Sequence, residues 1–160
     1  MAKGQIPVEG DRAPDFKLPR DGGGTFSLSG QRGKALVLYF YPKDDTSGCT
    51  SEAIGFTQAK PSFDAIGVTI AGVSPDPVTK HDKFRDKHEL AITLISDEGK
   101  EMLEAYGVWR EKSMYGRKFM GVERTTFLID ADGKIARIWR KVKVPGHVEA
   151  VLEAARELVG

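Results

Sequence analysis

The chain alternates apolar and polar positions in short blocks, and the period of each block predicts an element. Near the N-terminus, "DFKLPRDGGGTFSLS" sets Phe16/Leu18 and Phe26/Leu28 among polar neighbours on either side of a glycine run, which predicts a β-hairpin. Ala35 to Tyr41, "ALVLYFY", is almost continuously apolar, as in a strand covered on both faces. Residues 50 to 66 carry Ala53, Ile54, Phe56, Phe63 and Ile66 at helical spacing, with Pro61 as a break or a new helix start. "VTIAGVSPD" predicts another buried strand. A helix over "SPDPVTKHDKFRDKHEL" follows, with Asp76 as N-cap and Pro77 as its first residue. "ITLISD" is a strand, and "EGKEMLEAYGV" a helix ending at Gly107. "TTFLID-ADG-KIARIWR" predicts a hairpin, and "PGHVEAVLEAARELVG" an amphipathic helix with Val148, Val151, Leu152, Ala155 and Leu158/Val159 on one side.

Strands alternating with helices, then a hairpin and a closing helix, imply an α/β sandwich around a mixed sheet. The order resembles a thioredoxin-like fold, with a central mixed β-sheet, helices on both faces and an N-terminal β-hairpin. At 160 residues, with neither repeat nor low-complexity linker, residues 1–160 are expected to form one domain. Lysine plus arginine (24) nearly balance aspartate plus glutamate (23), which argues against a nucleic-acid-binding surface. No apolar run is long enough for a bilayer, and the N-terminus lacks the apolar core of a secretory signal. A single cysteine, Cys49, excludes an internal disulfide framework; a reducing, cytoplasmic setting is expected.

Cys49 lies in "YPKDDTSGCTSEAIGF", after a buried strand and a polar turn, where it opens a candidate helix. A thiol reacts as its thiolate, and first-turn N–H groups with the positive end of the helix dipole favour that anion. Taken alone, an isolated cysteine is more often a small buried hydrophobe. The flanking residues change that balance. Pro42-Lys-Asp-Asp-Thr46-Ser-Gly-Cys49 matches P-x-x-x-T-x-x-C, and "GVSPD", "FRDKHEL", "YGVW", "SMYGRKFMGVERTTFLIDADGKI" and "VPGHVEAVLEA" extend the likeness along the chain. In these segments the chain resembles the peroxiredoxins of the bacterioferritin-comigratory (PrxQ) branch.

The resemblance implies a thiol-dependent peroxidase for hydrogen peroxide and organic hydroperoxides. Cys49 would be the peroxidatic cysteine, passing through a sulfenic acid. Thr46 would hold the peroxide with its hydroxyl, and Pro42 would shape and shield the loop. Arg124, in "ERTTFLID", would bring a guanidinium to the sulfur, and Glu52 is a candidate for orienting it. Thr46, Gly48, Cys49 and Arg124 would form the peroxide pocket. No cofactor and no metal are implied. The reductant would be thioredoxin, glutaredoxin or a low-molecular-weight thiol, and the protein a monomer with neither nucleic-acid nor membrane partner.

The chain departs from the branch at two places. Ser47 stands where T-P-G-C members have proline, which removes a constraint on the turn. Ile54 stands where C-T-x-x-x-C members carry a resolving cysteine, and "KFRDKH" supplies none. Either the enzyme works with one cysteine and an external thiol, or a resolving cysteine has been replaced.

Other readings were weighed. A cysteine hydrolase pairing Cys49 with His147 needs the imidazole beside the sulfur. A thioredoxin-type reductase needs a second cysteine where Glu52 stands. A redox sensor would oxidise Cys49 without turnover. "DGGGTFSLSG" lacks phosphate-loop spacing and precedes a strand. His81 and His88 read as surface helix residues rather than metal ligands, and "RIWRKVKV" with Trp139 as an exposed strand face. Tyr115, Arg117, Lys118 and Phe119 are expected to form a mobile loop near the pocket.

Overall fold

The computed structural model describes residues 6–160. Its centre is a five-stranded mixed sheet with strand order β5-β4-β3-β8-β9. Strand β3 (Ala35–Phe40) lies in the middle, parallel to β4 (Val68–Ser74) and antiparallel to β8 (Thr125–Ile129). Strand β5 (Thr93–Ser96) extends one edge in parallel, and β9 (Ile135–Trp139) the other in antiparallel. The predicted N-terminal hairpin is present as β1 (Lys17–Pro19) and β2 (Thr25–Ser27).

The continuous apolar run of β3 is explained by two cores. Ala35, Val37, Tyr39 and Tyr41 point to a core built with α1 (Ser47–Ala65), α2 (Val78–His88) and α4 (His147–Val159). Leu36, Leu38 and Phe40 point to the opposite core, closed by Met102 and Leu103 of α3 (Glu101–Ala105), the N-terminal hairpin and Tyr106. Alternate residues of one strand thus serve opposite faces. Each fully buried large side chain contributes about 1.5–3 kcal/mol, so this strand is a principal source of stability. The arrangement is the expected thioredoxin-like one, with helices on both faces.

Several local expectations are corrected. Helix α1 starts at Ser47 and runs unbroken through Pro61, which is exposed on its outer side, so the lost backbone bond faces solvent. Helix α2 begins at Val78 with Pro77 as its N-cap; Asp76 does not cap it, because its carboxylate accepts from the Ser74 hydroxyl and the Asp44 N–H. His81 is fully buried rather than on the surface. Trp139 is half-buried, edge-on to His147, while Arg137 covers its ring. The segment expected as a loop is a hairpin, β6 (Trp109–Met114) and β7 (Arg117–Val122). Its turn residues Tyr115 and Gly116 have φ of 52° and 76°, which matches the backbone twist of a two-residue hairpin turn. The helix predicted to end at Gly107 ends at Ala105, and Gly107 turns the chain with φ 71°. Among the described residues, no helix is long and apolar enough to cross a membrane.

His147, the first residue of α4, ties that helix to the sheet. Its Nε2 pairs with Thr126 Oγ1 at 2.8 Å, and its ring meets Phe56 edge-on. Burial first, then the charge of Arg124, push its pKa down to about 4 from 6.5. A depressed folded-state value means stability that is full above pH 6.5 and is lost as pH falls toward 4. Between pH 7 and pH 5 the parent is expected to lose about 2 kcal/mol more stability than His147→Gln. Urea unfolding at both pH values checks this, and parallel losses would contradict it.

Candidate active site

The site forms where β3 ends. Residues 41–46 leave the carboxyl end of β3 and lead into α1, with Cys49 as its third residue. The Thr50 N–H closes the first turn onto the Thr46 carbonyl at 2.8 Å. Thr46 takes the N-cap position, but its hydroxyl does not cap the helix; it donates to the Lys43 carbonyl at 2.9 Å. Thr46 is exposed, and with its proton on that carbonyl the hydroxyl oxygen keeps its acceptor capacity. Pro42 is half-buried at the start of the same loop.

Arg124 arrives from far along the chain because β8 pairs antiparallel with β3, placing Thr125 opposite Phe40. The residue before β8 therefore sits beside the loop that follows β3. Its backbone is held there by the Val142 N–H, which donates to the Arg124 carbonyl at 3.0 Å. Arg124 donates from Nη2 to Cys49 Sγ at 3.3 Å and from Nη1 to Glu52 Oε1 at 2.6 Å. Glu52 lies three residues past Cys49 on α1, on the same face of the helix, so one helix supplies both acceptors. Cys49 is 1% exposed and Glu52 is fully buried.

Electrostatics in this cluster are opposed. Burial, with Oε2 lacking a hydrogen-bond partner, pushes Glu52 up to about 7 against the pull of Arg124. Burial disfavours the Arg124 charge as well, but Glu52 and Cys49 outweigh it, and the guanidinium is held above its usual range. Arg124 therefore stays a cation next to the sulfur. An ion pair buried this way costs several kcal/mol of desolvation per charge. Such a pair adds little net stability, and a cluster of perturbed, paired charges around a buried thiol is a candidate functional site.

Gly48 is part of the packing. A Cβ built there would stand 3.2 Å from Arg124 Nη2, so the guanidinium lies across the glycine. Lys112, on β6, was not singled out in the sequence. Burial and Arg124 lower its pKa while Cys49 raises it, which puts this lysine within electrostatic range of the cluster. The β6–β7 hairpin, which lacks a sequence signal of its own, carries it there. His147 engages Thr126 rather than the sulfur, so the hydrolase pairing is not formed. His81 and His88 engage Asp44 and Asp45 of the loop between β3 and α1, at 2.6 and 2.9 Å.

Residues 9–138 match the AhpC/TSA family. "Peroxiredoxin Bcp" of Bacillus subtilis is 46% identical over 149 residues, covering 93% of this chain and 95% of that protein. "Putative peroxiredoxin bcp" of Coxiella burnetii is 48% identical over 143 residues, covering 89% and 95%. Among solved structures, Xanthomonas campestris peroxiredoxin Q superposes with a TM-score of 0.87 at 43% identity, covering 91% of this chain and 92% of that one. The C47S mutant of Xylella fastidiosa PrxQ gives 0.91 at 39% identity, covering 96% and 98%. With a buried cysteine in the first turn of a helix, a guanidinium on its sulfur and these relatives along nearly its whole length, the chain belongs to the AhpC/TSA family, among the peroxiredoxins of the Bcp (PrxQ) type.

Proposed function

We propose that the protein is a thiol peroxidase that reduces hydrogen peroxide and organic hydroperoxides with Cys49, as one domain acting as a monomer. The observation that carries this reading is the Arg124 guanidinium shared between Cys49 Sγ and Glu52 Oε1. A solved Xanthomonas campestris bacterioferritin comigratory protein, 43% identical, is described by its alkyl peroxide reduction activity, which supports the same substrate class here.

In the reaction, the Cys49 thiolate attacks one peroxide oxygen along the O–O axis. A sulfur–oxygen bond forms, the O–O bond breaks, and the sulfur is oxidised by two electrons as the peroxide is reduced. The leaving oxygen departs as hydroxide or alkoxide and takes up a proton. Charge develops on that oxygen, so fixed donors aimed at it lower the barrier most. Arg124 supplies such donors and is already in place. The Thr46 hydroxyl, with its own proton on the Lys43 carbonyl, offers lone pairs to the proton of the incoming hydroperoxide. Pro42 shapes the loop that carries Thr46, and Gly48 leaves room for the guanidinium. Cys49 then stands as a sulfenic acid. With no second cysteine in the chain, an external thiol condenses with it, releasing water, and a second thiol restores the reduced enzyme. Thioredoxin, glutaredoxin and low-molecular-weight thiols are the candidates, in a reducing, cytoplasmic setting.

Peroxide consumption with dithiothreitol, thioredoxin or glutathione plus glutaredoxin tests the reading. Turnover with at least one supply is expected; oxidation of Cys49 without turnover on any of them would favour the sensor reading.

Arg124→Met is expected to slow Cys49 oxidation by peroxide by about a hundredfold or more. Rapid-quench mass spectrometry measures it, and an unchanged rate would remove Arg124 from the chemistry. Gly48→Ala separates stability from chemistry. Gly48 has an ordinary helical φ, so alanine is expected to hold or raise stability, by up to about 1 kcal/mol. Its methyl group would nevertheless crowd Nη2 and displace the guanidinium, lowering peroxide reduction by about tenfold. Thermal unfolding and peroxide kinetics on the same sample read the two effects; full activity would show that Arg124 does not rest over Gly48.

A further inference from the structure

The loop of residues 41–46 is attached to the body of the protein through two adjacent side chains: exposed Asp45 meets Lys87 and His88 of α2 at 2.6 and 2.9 Å, and buried Asp44 reaches further into the fold. Asp44 Oδ2 meets His81 Nδ1 of α2 at 2.6 Å, and its Oδ1 accepts from the Tyr41 hydroxyl at 2.6 Å. Its backbone N–H donates to Asp76 Oδ2 at 2.8 Å, and that same oxygen accepts from the Ser74 hydroxyl at 2.7 Å. His81 Nε2 reaches the Ile95 carbonyl of β5 at 2.9 Å, and the Ser96 hydroxyl donates to the Asp76 carbonyl at 2.7 Å. Asp44, Asp76, Ser74, Ser96 and His81 are all buried. The network joins β4, α2 and β5 to the one loop that carries Pro42 and Thr46.

The chemistry of the partners dictates where the protons lie. A carbonyl only accepts, so His81 Nε2 carries hydrogen. The other ring nitrogen faces a carboxylate oxygen 2.6 Å away, a separation that requires a proton between the two. Burial opposes a charged ring, but the hydrogen bond and the charge of Asp44 overcome it and His81 is held above its usual value. Both influences favour the imidazolium form, which donates from both nitrogens. Asp44, Asp76 and His81 would also suit a cation by residue type and proximity, their ligand atoms lying within 4.8 Å of one another. Their atoms are already matched donor to acceptor, so the cluster is complete as a hydrogen-bond network.

We propose that Asp44, gripped by His81, is a positioning residue for peroxide reduction: it fixes the loop so that Thr46 stands at the right distance from Cys49. The inference rests on the peroxidase reading. Asp44 touches neither the sulfur nor Arg124 through any hydrogen bond; it acts through the loop. Displacing a substrate-positioning group by about 1 Å costs on the order of a hundredfold. Loss of the anchor therefore slows attack on a peroxide, which must be held in line, far more than attack on an alkylating reagent that needs no such alignment.

The test compares Cys49 oxidation by hydrogen peroxide with Cys49 alkylation by iodoacetamide, together with nitrogen NMR of the histidine rings. In the parent at pH 7, both His81 nitrogens are expected to be protonated. Asp44→Ala is expected to lose about tenfold or more in the peroxide reaction and less than about threefold in alkylation. Asp44→Asn can accept from Tyr41 and donate to Nδ1 of a neutral His81. It is expected to recover the peroxide rate to within about threefold while its His81 spectrum turns to that of a neutral ring. The milder Asp44→Ser, too short to reach His81, repeats the measurement should the alanine variant fail to fold. A singly protonated His81 in the parent, equal losses in both reactions, or a parent-like peroxide rate in Asp44→Ala or Asp44→Ser would each overturn the proposal. A parent that reduces no peroxide would instead overturn the peroxidase reading on which it rests.

Discussion

One guanidinium held between a sulfur and a carboxylate is the constraint around which this molecule is arranged. Arg124 bonds Cys49 and Glu52, both on the first two turns of α1, from a position that the sheet alone determines. Everything that brings it there is backbone geometry: β8 runs antiparallel beside β3, so the start of one adjoins the end of the other. A cation buried at this depth needs an acceptor on each side, and burying those acceptors carries its own cost, visible in the raised Glu52. The protein tolerates it because two apolar cores flank the central strand and supply the stability that the site consumes.

The same logic places rigid and adaptable parts. Helix α1 and strands β3 and β8 fix the sulfur and the guanidinium. Between them lies a short loop whose backbone has few ties of its own. Buried polar side chains, rather than apolar ones, hold it, because its N–H and carbonyl groups cannot join the sheet and must find partners. Asp76 illustrates this: a residue suited to capping α2 is taken by the loop instead.

Much of this was legible in the sequence. The two-faced apolar run of β3, the terminal amphipathic helix and the hairpins around Gly22–Gly24 and Asp130–Gly133 follow from period and turn chemistry. Cys49, Thr46 and Arg124 came from a motif and a family likeness, since no local period reveals that residues 49 and 124 meet. The misses have physical causes. Pro61 fits inside α1 because its missing bond faces water. The hairpin of β6 and β7 escaped because most of its residues are exposed or half-buried and lack a sustained apolar alternation. His81 and His88, seven residues apart with no cysteine or acidic pair at ligand spacing, read as surface residues, although His81, Phe84 and His88 share a helical stripe that faces the core and the loop. Glu52 was seen only as a possible partner of Arg124; its full burial depends on tertiary packing that no local pattern carries.

The central claim is that this arrangement makes one sulfur unusually fast toward peroxides, and single-turnover kinetics tests it most directly. Fully reduced protein is mixed with one equivalent of hydrogen peroxide at pH 7 without added thiol, and Cys49 is followed by rapid quench, sulfenic-acid trapping and intact mass. The account predicts one added oxygen on Cys49, formed about a thousandfold or more faster than on free cysteine. A rate no greater than that of free cysteine would contradict it, and would leave the Arg124–Glu52 pair without a chemical purpose.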